Sequence, residues 1–172
     1  MKGWIKDIAI AVVIALVIMT FIKPTIVKES SMQPTLYANN YIFLSKQAYR
    51  FGEPKTGDIV VFHTHNADLT TADGQEKLLI KRIIGLPGDM LTIEGGKVYI
   101  NDVELDEPYL LEDETAGSID NLKIPDGDVF VMGDNRSVSI DSRDSRVGFV
   151  PIKMIVGKAV FRLYPFDKIG LL

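Results

Sequence analysis

Between Ile8 and Ile22 the chain reads IAIAVVIALVIMTFI, fifteen residues without a charge and with Thr20 as the single polar side chain. No other feature constrains the fold as strongly, because such a run must be removed from water, into protein or into lipid. Trp4 and Ile5 upstream and Thr25-Ile26-Val27 downstream bring it near the roughly 20 apolar residues of a spanning helix. Lysines at both margins can snorkel, Trp4 suits the headgroup level, and Pro24 is expected to end the helix. A cleavable leader also has a basic start and an apolar stretch, but it should end in small residues at its cut site. Here the exit is FIKPTIVKES, which favours an uncleaved anchor. Lys2 and Lys6 lean the tip inward, against a weaker bias from Lys23 and Lys28. The expectation is a single-pass protein of the cell membrane. Residues 1–24 form its cytoplasmic tip and transmembrane anchor, and residues 25–172 its extracytoplasmic domain.

That remainder is long enough for one domain with a core and short for two. The 172 residues hold no cysteine, which excludes disulfides, thiol nucleophiles and thiolate zinc sites. Residues 1–28 carry four lysines and one aspartate, leaving fifteen basic and twenty-two acidic residues beyond them. An acidic body is a poor match for nucleic acid. The two histidines, His63 and His65, are two apart on an expected strand, and a metal would need further ligands, so both are read as surface. Neither a metal nor another cofactor is called for.

Past Tyr37 the chain alternates short β-rich runs with turn signals. YIFLSKQAY (41–49), IVVFH (59–63), LLIKRIIG (78–85), MLTIE (90–94) and KVYI (97–100) read as strands, and so do VEL, DVFVMGD (128–134) and IVGKAVFRLYP (155–165). Gly95-Gly96 and Asn101-Asp102 read as hairpin turns. Residues 104–127 are acidic and turn-rich, and read as an inserted excursion or a mobile loop. The expected fold class is all-β, mainly antiparallel sheets, with one N-terminal transmembrane helix.

Three places can carry chemistry. In ESSMQPTL (29–36), Pro34 stiffens the chain after Ser31 and Met32 offers an apolar wall. In LLIKRIIG, alternation sets Leu79, Lys81 and Ile83 on one face and Ile80, Arg82 and Ile84 on the other. Each face then buries a cation, which is costly unless the cation is paired or neutral. Lysine can become neutral on desolvation, whereas arginine cannot. A neutral amine is the general base that a serine hydroxyl needs where no histidine serves. In GDNRSVSIDSRDSRVGF (133–149), Asp134, Arg136, Asp141 and Arg143 can form a self-satisfied ion-pair scaffold that holds a site rigid.

Taken together, S-M-x-P-T-L after a single anchor, K-R-x-x-G-x-P-G-D, and G-D-N-R-x-x-S-x-D-S-R resemble bacterial signal peptidase I, in its short Gram-positive form. GDIVVF (57–62) and FRLYPF (161–166) add to the resemblance. It implies a membrane-bound serine endopeptidase that cleaves signal peptides from exported pre-proteins, with pre-proteins and the lipid bilayer as its partners. Ser31 resembles the nucleophile and Lys81 the general base. Ser139 resembles the hydroxyl that orients the lysine, and Asp141 and Arg143 a supporting ion pair. Met32 lies beside the substrate groove in this resemblance. Val27, Leu36, Leu79 and Ile80 become candidate walls of pockets for alanine-sized residues.

The chain departs from the family in one position. Glu29 stands two residues before Ser31, where the family places a serine or glycine that helps to form the oxyanion hole. Either the chain kinks there and Glu29 faces solvent, or its charge opposes the transition state. Two rival readings compete with this one. A self-cleaving Ser–Lys repressor needs a DNA-binding domain where the anchor stands. A non-catalytic homologue acting as an assembly factor should lack the serine or the lysine, and gains support only from Glu29.

Overall fold

The computed structural model describes residues 3–64, 66, 69–70, 76–112 and 114–172. Lys2 and His65, used in the sequence reading, lie outside them. Helix α1 (Gly3–Phe21) has 19 residues, roughly 28 Å at 1.5 Å per residue. Its stretch Trp4–Phe21 has a mean hydropathy of 2.2 and is nowhere buried in the protein. A helix apolar on every side has no polar face to turn to water. It is long and apolar enough to cross a membrane.

Pro24 does not end this helix, contrary to expectation. The helix stops at Phe21 and strand β1 (Ile22–Ile26) follows at once, with Pro24 opposite Phe43. Proline is tolerated there because β1 is an edge strand and its missing N–H breaks no ladder. Thr25, Ile26 and Val27 therefore belong to the folded domain and add nothing to the span. Two bonds from Lys46 close the helix end. Its N–H donates to the Phe21 carbonyl at 2.8 Å, and its Nζ to the Met19 carbonyl at 3.3 Å.

The body is two antiparallel sheets. The larger one contains β1, β2 (Tyr41–Ser45), β3 (Ile59–His63) and β4 (Leu78–Gly85), then β9 (Asp128–Met132), β10 (Val150–Pro151), β11 (Ile155–Tyr164) and β12 (Gly170–Leu171). Its order is β1-β2-β11-β3-β4-β9-β10, with β12 on β11. The smaller sheet holds β5 (Met90–Glu94), β6 (Lys97–Ile100), β7 (Val103–Glu104) and β8 (Ile119–Lys123), in the order β7-β6-β5-β8. Both expected hairpin turns form, with positive φ at Gly95 and Gly96 (59° and 81°) and at Asn101 and Asp102 (52° and 65°). Such pairs match the right-handed twist of the flanking strands.

Two expected runs change. Strand 41–49 breaks at Ser45, and a one-turn helix α2 (Ala48–Phe51) follows. The excursion 104–127 is turn-rich only as far as residue 118; it then supplies β8, which pairs with β5. Within it Tyr109 packs under the Arg82 guanidinium, whose Cζ lies 3.9 Å from the ring centroid.

Strand β4 organises the core. Ile83 joins Val60, Phe62, Val129 and Val131 on one side, while Ile84 joins Leu91, Ile93, Phe130 and Met132 between the two sheets. A third cluster gathers Val27, Met32, Leu36, Ile42 and Leu44 under the segment that follows β1. Each fully buried side chain of this size contributes about 1.5–3 kcal/mol relative to exposure. The site is thus built on a strand clamped from both faces.

Candidate active site

Ser31 and Lys81, fifty residues apart in sequence, meet in the interior. Lys81 Nζ donates to Ser31 Oγ at 2.8 Å and to the Ile80 carbonyl at 3.0 Å. Ser31 is 4% exposed and Lys81 1%. The serine is delivered by a change of direction, not by a straight strand. The Gln33 N–H bonds the Ser30 carbonyl at 3.1 Å and the Leu36 N–H the Met32 carbonyl at 2.7 Å, curling residues 30–36 into turns. Burial lowers the Lys81 pKa from its usual 10.5 to about 8. The carboxylates of Glu29, Asp141 and Asp134 oppose that shift, and the Lys77 ammonium adds to it.

Its neighbour in sequence meets the same problem in the other way. Arg82, also buried, forks onto Asp134, with Nε 2.8 Å from Oδ1 and Nη2 2.7 Å from Oδ2. Nη1 donates to the Gly57 carbonyl at 2.8 Å. Thr35, four residues beyond Ser31, donates to Asp134 Oδ2 at 2.5 Å. Removing one partner from a buried pair of this kind costs about 3–5 kcal/mol, because the other charge is stranded.

The loop from Gly133 to Arg143 is tied inward and outward. Arg143 Nε and Nη2 each reach the Asp141 carboxylate at 2.9 Å, so the expected pair forms. Asp141 Oδ2 also accepts from the Gly133 N–H at 3.0 Å. The loop is not self-satisfied, however. Asp134 goes to Arg82, and Arg136 goes to Glu107 and Thr115 in the excursion. The Asn135 N–H donates to the Ser31 carbonyl at 3.0 Å, locking the loop to the serine's own backbone. Ser139 Oγ is buried with no hydrogen-bond partner among the described residues. It stands over Gly133, where an added Cβ would lie 2.3 Å from Ser139 Oγ and 2.5 Å from the Ser31 carbonyl oxygen. Lys81 bonds Ser31 and Ile80, and no bond from Ser139 to Lys81 is formed.

A cavity of about 420 Å³ opens beside Ser31. Glu29 and Ser30 border it on the serine's segment, Lys77 and Leu79 at the start of β4, and Val138 and Ile140 on the late loop. Of the five expected wall residues only Leu79 lines it. Val27, Met32 and Leu36 are core residues, at most 2% exposed, and Ile80 packs against their cluster. Glu29 borders this cavity with its Oε1 2.5 Å from Lys77 Nζ. His63 is a half-exposed surface residue, with Nδ1 3.2 Å from Glu76 Oε2. Among the described residues no group of acidic residues and histidines is arranged to hold a metal.

Residues 1–164 match the family described as signal peptidase, peptidase S26. The chain belongs to that family. Signal peptidase I of Bacillus licheniformis is 39% identical over 178 residues, covering 96% of this chain and 90% of that protein. Signal peptidase I S of Bacillus subtilis (strain 168) is 39% identical over 176 residues, with the same two coverages. Signal peptidase I of Leptolyngbya laminosa is 39% identical over 173 residues, covering 99% and 82%. The crystal structure of a signal peptidase I from Enterococcus faecalis V583 is 31% identical, with a TM-score of 0.49, and covers 62% of this chain and 96% of that one.

For this signal peptidase family member, the expected serine endopeptidase class and the antiparallel β fold both hold. Its N-terminal helix fits a single membrane anchor. Sequence reasoning missed Gly133, Asn135 and Lys77 around the site, together with Val138 and Ile140. The first two had a visible signal in the G-D-N-R motif; the other three depend on how separate segments come together.

Proposed function

We propose that this chain is a membrane-anchored signal peptidase that cuts signal peptides from exported pre-proteins, with Ser31 as nucleophile and Lys81 as general base. The observation that carries this reading is the buried 2.8 Å contact between Lys81 Nζ and Ser31 Oγ. A neutral amine at that distance accepts the hydroxyl proton as oxygen attacks the scissile carbonyl. The Ser31 N–H is the candidate donor to the oxyanion, and water then hydrolyses the acyl-enzyme. The proton returns through Lys81 to the leaving amine. The Asp141–Arg143 pair braces the late loop, and the Asn135 N–H holds it against the serine's backbone. The anchor, with its tip in the cytoplasm and its domain outside, confines enzyme and substrate to one surface and so raises their effective concentration.

The alternative of a non-catalytic assembly factor draws its support from Glu29; the family match and the pairing of Glu29 with Lys77, which offsets its charge, favour the enzyme. Cleavage of a purified pre-protein by the full chain in detergent, followed across pH, tests the proposal. The kcat/KM should rise with pH through a single ionisation near 8 and level off above it, because the base works only when neutral and burial already favours that form. A rate still climbing steeply at pH 10 would contradict a buried amine. Stability should move in the same sense. Between pH 8 and 10.5 the unfolded chain holds a proton on Lys81 that the folded one has lost, so folding becomes more favourable as pH rises through that window.

A further inference from the structure

Among the described residues, the cavity beside Ser31 is lined by only three charged side chains. Its described lining is otherwise Ala38, Leu69, Leu79, Val138, Ile140 and the two serines, against Lys28, Glu29 and Lys77. Those three leave one ammonium in excess. Glu29 and Lys77 join the segment before Ser31 to the start of β4, with their side chains 39% and 34% exposed. Lys77 is also held by its backbone. Its N–H donates to the Leu69 carbonyl at 3.2 Å, and its carbonyl accepts from the N–H and hydroxyl of the buried Thr64, both at 3.1 Å.

We propose that the Glu29–Lys77 pair is a specificity determinant that reads the charge of the peptide side chain next to it, favouring an acidic residue and rejecting a basic one. The inference rests on the assignment of Ser31 and Lys81 above and extends it to the substrate. A carboxylate on the peptide shares Lys77 with Glu29 and takes up the surplus positive charge. An ammonium there meets the half-buried Lys77 and the exposed Lys28 and is repelled by both. Partial exposure keeps the effect moderate. Each charged contact of this kind changes affinity by a few-fold, so acidic and basic peptides should differ by about tenfold. Because the pair does not touch the reacting atoms, the difference between peptides should fall mainly on KM. Its charges do act on Lys81, so each variant is read by its own ranking of peptides and not by its absolute rate.

The test uses the full chain in detergent and peptides with alanine at the first and third positions before the cut. A single residue is varied as Glu, Gln or Lys at the second or fourth position before it, or at the first or second after it. At one of these positions the wild type should rank Glu over Gln over Lys. Lys77→Glu should reverse that order at the same position and no other. Lys77→Gln should flatten it, which serves if the reversal variant folds poorly. Glu29→Gln should steepen it by removing the competing carboxylate, and 0.5 M salt should narrow it. If Lys77→Glu and Lys77→Gln cleave the Gln peptides and every position keeps its ranking within about twofold, the pair reads no charge and the proposal falls. If the wild type cuts none of the Gln peptides, the assignment of Ser31 and Lys81 fails, and this inference fails with it.

Discussion

Lys81→Arg is expected to give a folded protein that cleaves no pre-protein, with kcat/KM down by about 10⁴ or more, as when a catalytic base is lost elsewhere. Arginine keeps the positive charge and most of the length, so a merely electrostatic or packing role for Lys81 would survive the exchange. It cannot supply a neutral nitrogen at working pH. Ser31→Ala should match that loss, and the double variant should be no worse than either single one, since the two act as a unit. Ser30→Ala separates the adjacent serines. Ser30 is exposed whereas Ser31 is buried on Lys81, so only the former should be dispensable. Circular dichroism and a melting curve on each variant keep misfolding apart from lost chemistry. Turnover by Lys81→Arg above a hundredth of wild type would sink the pair.

Gly133→Ala should be the most damaging single methyl in the chain, lowering kcat/KM by roughly 10²-fold. The added carbon would sit 2.5 Å from the Ser31 carbonyl oxygen and 2.6 Å from Ser139 Cβ. Relief requires movement of about 1 Å, and misplacement on that scale is worth roughly two orders of magnitude in rate. The Ser31 carbonyl is also the acceptor for the Asn135 N–H, so the serine's backbone cannot shift without opening that bond. Overpacking should take about 1–3 kcal/mol from stability as well. Gly170→Ala, which meets nothing within 4 Å, is the matched control and should stay within twofold of wild type. Equal activity for the two variants would mean that the contact over Gly133 does not position the serine.

The buried meeting of Ser31 and Lys81, on which the proposed chemistry rests, was legible from sequence because it depends on residue types. A lysine placed among aliphatic residues on a strand has few ways to be tolerated, and the motifs around Ser31 and Gly133 carried the rest. Walls were harder. Val27, Met32 and Leu36 are apolar and close to Ser31 in sequence, yet the turns at 30–36 send them into the core. Val138 and Ile140, which do line the cavity, sit in a serine-rich loop with no period to betray them. β8 was hidden for a related reason: IDNLK has three exposed positions of five and is held by pairing with β5, not by its own pattern. Pro24 shows the limit of a local rule. It stops helices in general, but here the pairing of β1 with β2 begins two residues earlier.

The absence of a linker between α1 and β1 has a metric consequence. Ser31 lies ten positions after Phe21, a tether of at most about 36 Å even if fully drawn out. Half of that tether is β1, fixed in register against β2, so its length is built in and does not fluctuate like that of a flexible leash. On the proposed function, with α1 in a bilayer, Ser31 would work within a narrow range of heights above the lipid surface. A cleavage point presented much farther out would never reach it, however well its sequence suited the cavity. The enzyme would then select its substrates by distance as well as by side chain, with the membrane as the zero of the scale.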